Sequence, residues 1–96
     1  MKINLKDIIK IQHLEMEIFE EEDQDYPDNR IIRNKERAIF NTLNKITMDW
    51  DKREQIRDCI YKNMWNTEDL TFKPICDSLR SLGYEIVGGK NAEETI

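Results

Sequence analysis

Ninety-six residues with a net charge of −5, 39% hydrophobic and 36% charged, suffice for one small domain and are too few for two. Apolar residues recur at helical spacing, which excludes a disordered composition, and no apolar run reaches membrane-spanning length. Glycine occurs three times, all within residues 83–89, and proline only at positions 27 and 74. So few breakers point to an all-α class, a compact three- or four-helix domain with a short C-terminal strand.

Met1 to Asp7 lead straight into an amphipathic pattern without a signal-peptide core, so the expected location is the cytoplasm, with no membrane partner. Asn4 caps a first helix over about 5–22, with Asp7 in its first turn near the positive helix end. At 100° per residue Leu5, Ile8, Ile9, Met16 and Phe19 form one apolar stripe, while Ile11, Leu14 and Ile18 form a second. Two stripes demand either a second packing element or another molecule. Asp23 to Asn29 reads as a turn, because Pro27 moves Tyr26 out of helical geometry and Asp and Asn bond nearby backbone.

A second helix is expected over about 31–47, with Ile32, Ile39, Leu43 and Ile46 as its stripe. Asp51 and Glu54 read as a capping box opening a third helix over about 52–65, with Ile56, Cys59, Ile60 and Met64 facing inward. The same spacing also allows residues 31–65 to form one long helix bent near Asp49. Thr67 or Thr71 caps a last helix over about 72–82, where Pro74 is tolerated in the first turn and Gly83 ends it. Tyr84 to Val87 alternates like a short strand, and residues 88–96 read as a loose tail. Cys59 and Cys76 fall on apolar helix positions outside any C-x-x-C motif, so buried reduced thiols are expected.

Chemistry is sparse. One histidine, His13, offers no base for a nucleophilic triad beyond mid-helix, and its neighbours Glu17 and Glu20 fall short of three or four ligands converging from several elements. Asp23 to Asp28 lacks the glycine and terminal glutamate of a calcium loop, and Gly88-Gly89-Lys90 is followed by no helix to present N–H groups to a phosphate. The expectation is a non-enzymatic protein without metal or cofactor.

What remains is charge. Residues 14–29 carry eight carboxylates and no Lys or Arg, more negative charge than the whole chain carries net. Glu15, Glu17, Glu20, Glu21, Glu22, Asp23, Asp25 and Asp28, with Tyr26 as an aromatic anchor, form a candidate surface for a protein partner whose basic groove holds nucleic acid. In size and charge the chain is similar to small acidic inhibitors encoded by phages and mobile elements. Arg30, Arg33, Lys35 and Arg37 follow at once, and as a folded-back ion-pair network they would neutralise that surface.

Two other functions fit the sequence. Cys76-Asp77-Ser78-Leu79-Arg80-Ser81-Leu82-Gly83-Tyr84-Glu85-Ile86-Val87 resembles the end of a recognition helix entering the first wing strand of winged-helix regulators, which implies DNA binding through the C-terminal half. The resemblance covers about a third of the chain and places only Lys73 and Arg80 on the helix, against Asp77. Self-association through Ile11, Leu14 and Ile18, with Trp50 and Trp65, is the third expectation, and its alternative is ordinary core packing.

Overall fold

The computed structural model describes residues 1–65 and 72–88. Four helices and two short strands follow in the order β1 (Lys2–Asn4), α1 (Leu5–Glu22), α2 (Asn29–Ile46), α3 (Trp50–Met64), α4 (Lys73–Ser81) and β2 (Glu85–Val87). The all-α expectation holds, with the C-terminal strand in place. Its partner is the N-terminus: β1 and β2 pair in parallel with Ile3 opposite Ile86. The expected Thr67 or Thr71 cap lies outside the described residues, as does the expected tail beyond Gly88.

The starts of α1, α2 and α3 are each set by a side chain that satisfies otherwise unpaired N–H groups, whereas α4 opens at Phe72 without a side-chain cap and with Pro74 in its first turn. Asn4 accepts from Lys6 N at 2.9 Å, Asp28 from Arg30 N at 2.9 Å, and Asp49 from Asp51 N at 2.9 Å and Lys52 N at 3.3 Å. The cap of α3 is therefore Asp49 rather than Asp51. Residues 31–65 form two helices, because Thr47 adopts extended geometry at φ −157° and Arg53 clamps the break by donating to the carbonyls of Thr47 and Met48. At the far end Gly83, at φ 97°, lets Tyr84 N reach the Leu79 carbonyl at 3.1 Å, while its own N–H donates to the Arg80 carbonyl at 2.9 Å. That closes α4 as the spacing predicts.

The core runs through all four helices and β1. Ile3, Leu5, Ile8 and Ile11 meet Ile39 and Leu43 of α2, Ile56, Ile60 and Met64 of α3, and Ile75 and Leu79 of α4, all fully or almost fully buried. Each such side chain contributes about 1.5 to 3 kcal/mol by leaving water. Cys59 and Cys76 are buried free thiols. Helix α1 packs against both α2 and α3 through one broad face, Leu5, Ile8, Ile11, Glu15 and Ile18, so its apolar residues find their partners within the chain. Ile11 and Ile18 are core residues and Leu14 packs partly buried against them, so the self-association surface expected from these residues is occupied within the chain.

Candidate protein-binding surface

The last turn of α1 and the loop after it display the acidic run. Asp23 caps the helix through its backbone N–H, and Glu21 Oε1 accepts from Asp28 N at 2.9 Å, tying the end of α1 to the start of α2. Between these anchors the side chains point outward, and Tyr26 is 93% exposed. Glu21 and Asp28 thus shape the loop. Glu20, Glu22, Asp23 and Asp25 are exposed.

The basic segment that follows leaves these four carboxylates alone. Lys35 pairs with Glu17 one turn further back, and Arg30 reaches only Asp28, the cap of its own helix. Arg33 and Arg37 are exposed and make no ion pair among the described residues. Among the described residues, then, no cation pairs with Glu20, Glu22, Asp23 or Asp25. Their combined field reaches solvent over about one Debye length, some 8 Å at physiological salt.

Glu15 is the exception that corrects the sequence reading. It is 5% exposed, and its Oε1 accepts from Arg57 Nε of α3 at 2.6 Å, so it belongs to the interior rather than to the acidic face. Burial of a carboxylate requires such a partner. Arg57 also lies 3.9 Å from Glu36 and 5.7 Å from the centre of the Phe40 ring, which stacks on Trp50. No part of the sequence pattern paired Glu15 with Arg57, 42 positions away.

Beside this pair three aromatic rings stand at the surface. Phe19, Tyr61 and Trp65 are 45%, 41% and 44% exposed, and Trp65 meets Phe19 edge-on at 4.8 Å and Tyr61 at 5.9 Å. Tyr61 lies in the last turn of α3 and Trp65 is the residue that caps that helix, one turn further on, while Phe19 comes from the end of α1. A pocket of about 150 Å³ opens between Phe19 and Tyr61, with Glu22 and Glu36 also at its lining and the Glu15–Arg57 pair beneath. A neighbouring groove of about 320 Å³ continues past Tyr61 to Glu54 and Asp58. No protein-family model, curated protein or solved structure matches this chain. The reading of the surface therefore rests on its geometry.

Sequence reasoning found the acidic run and Trp65 but not Phe19 or Tyr61 as surface residues. Phe19 falls on an apolar stripe, yet it lies where α1 extends beyond the core and so stays exposed. The signal that would have found Tyr61 is its i, i+4 spacing to Trp65 off the buried stripe of α3. Trp50, the other tryptophan considered for self-association, is 57% exposed and stacked on Phe40. It does not line the Phe19 pocket.

Two remaining features are plain. The wing-like strand β2 pairs in parallel with β1, and on α4 Arg80 Nη1 lies 3.4 Å from Asp77. Cys59 lines a groove of about 370 Å³ between α3 and α4, and burial, against hydrogen bonds from Ser78 and Asn63, raises its thiol pKa above the ordinary value. A thiol so shifted is a weak nucleophile near neutral pH. No cluster of three or more metal-ligating side chains occurs among the described residues, and no described helix is long and apolar enough to cross a membrane.

Proposed function

We propose that this chain is a non-enzymatic protein-binding module that occupies a basic, nucleic-acid-binding surface of its partner and so inhibits it. The observation that carries this reading is that no cation among the described residues pairs with Glu20, Glu22, Asp23 or Asp25, although four basic residues follow within the next helix. Carboxylates left unpaired in one place steer a basic surface toward them and speed its association. Tyr26, at 93% exposure in the same loop, adds an aromatic side chain of the kind that carries interface energy.

The test captures partners on the immobilised full chain from a lysate of its own cells. The expected partner is a nucleic-acid-binding protein that is retained at about 50 mM salt, released as salt rises, and displaced by a DNA or RNA oligonucleotide. A variant with Glu20→Lys, Asp23→Lys and Asp25→Lys retains its helicity by circular dichroism and loses the capture. Undiminished capture by that variant overturns the proposal.

A further inference from the structure

The pocket between Phe19 and Tyr61 has a chemistry of its own. Its lining holds three carboxylates, Glu15, Glu22 and Glu36, against one guanidinium, that of Arg57. Arg57 is already engaged by Glu15 at 2.6 Å and Glu36 at 3.9 Å, whereas Glu22 pairs with no described cation. Two aromatic rings stand in the same lining, and each ring face carries negative partial charge. An anion entering here meets repulsion, and a neutral apolar side chain would strip water from Glu22 without replacing it. A cation is favoured by both the ring faces and the unpaired carboxylate.

We propose that this pocket takes an arginine side chain from a basic segment of the protein partner, an inference that rests on the binding-module reading above and names the partner's anchor. Arginine fits better than lysine because its planar guanidinium stacks on a ring while its N–H fork bonds a carboxylate in the same plane. The rings are held ready: Trp65 buttresses Phe19 at 4.8 Å and Tyr61 at 5.9 Å, so little side-chain freedom is lost when the guest enters. The pocket also adjoins the open carboxylates of the α1 end, since Glu22 belongs to both. The field that attracts a basic partner therefore delivers its side chains to the site that binds one.

The experiment uses the full chain and a synthetic peptide of alternating arginine and glycine, with lysine and citrulline counterparts, read by the indole N–H resonances of Trp50 and Trp65. The arginine peptide is expected to move the Trp65 resonance and leave that of Trp50 in place. Citrulline, isosteric but neutral, should bind at least about 10-fold more weakly, and lysine about 3-fold more weakly. Phe19→Ala and Glu22→Gln should each weaken the arginine peptide about 3- to 10-fold. Tyr61→Leu keeps apolar volume without the ring and should give the same loss, which covers any folding defect of Phe19→Ala. Equal affinity for citrulline or lysine, movement of Trp50 instead of Trp65, or undiminished binding by the folded ring variants overturns the assignment.

Partner capture separates this proposal from the one it rests on. If the triple lysine variant loses the partner while Phe19→Ala and Tyr61→Leu keep it, the arginine pocket falls and the acidic module stands. If the ring variants lose the arginine peptide while the triple lysine variant keeps the partner, the acidic reading falls and the pocket stands.

Discussion

Glu15 and Glu22 lie two turns apart on α1 and line the same pocket, yet they have opposite surroundings. Glu15 is 5% exposed and bonded to Arg57, whereas Glu22 is exposed and unpaired among the described residues. What differs is the element opposite. The first part of the acidic run faces Arg57 of α3 and Lys35 of α2, and the last part extends past the core into the loop before α2. One contiguous stretch of acidic sequence thus supplies a buried structural ion pair, a half-exposed surface pair and an open negative surface. Counting carboxylates cannot separate these roles.

The strongest way to break the comparison is to remove the cation that makes Glu15 structural. Arg57→Ala leaves a carboxylate buried without its charge partner and is expected to cost about 3 to 5 kcal/mol in urea denaturation. Replacing both partners together, Glu15→Leu with Arg57→Met, should return stability to within about 1 kcal/mol of the parent, because two well-packed apolar side chains need no compensation. A loss below about 1 kcal/mol for Arg57→Ala alone would mean that water, not Arg57, satisfies Glu15, and the contrast with Glu22 would dissolve.

The same buried pair explains which parts of the fold were legible. The inward stripes of α2 and α3 follow directly from apolar spacing, and Ile39, Leu43, Ile56 and Ile60 are all buried where the period puts them. On α1 the spacing reads as two stripes because a charged residue occupies the middle of the buried face. Leu5, Ile8, Ile11, Glu15 and Ile18 are its buried residues, and with Glu15 discounted as polar the single broad face looks like two stripes. Strand β1 was illegible for a different reason: three residues are too few for an alternating pattern, and their pairing with β2 spans nearly the whole chain. The acidic part of the site was visible as composition. Its aromatic part was not, since exposure of Phe19 and Tyr61 depends on where α1 and α3 end relative to the core.

A smaller test sharpens the boundary inside the run. Glu17 and Lys35 pair across α1 and α2 with side chains 47% and 27% exposed. A double-mutant cycle with Glu17→Ala and Lys35→Ala should give a coupling of about 0.2 to 1 kcal/mol at low salt, fading toward 1 M salt. A coupling as large as that expected for Arg57 would place Glu17 with the interior and move the boundary one turn toward the loop.

The smallest expected effect has the opposite sign. Glu20 and Glu22 occupy the last turn of α1, which contains no basic residue, so each sits at the negative end of the helix dipole. Carboxylates are disfavoured there, and Glu20→Gln with Glu22→Gln should raise stability by about 0.3 kcal/mol per position. The buried charge of Glu15 is compensated by Arg57, while these two carboxylates have no compensating cation among the described residues. If thermal denaturation shows the double variant gaining stability while partner capture declines, the charges at the end of α1 serve binding at a cost to folding. A loss of stability would instead assign them a role within the fold, and the open half of the run would then join the buried half.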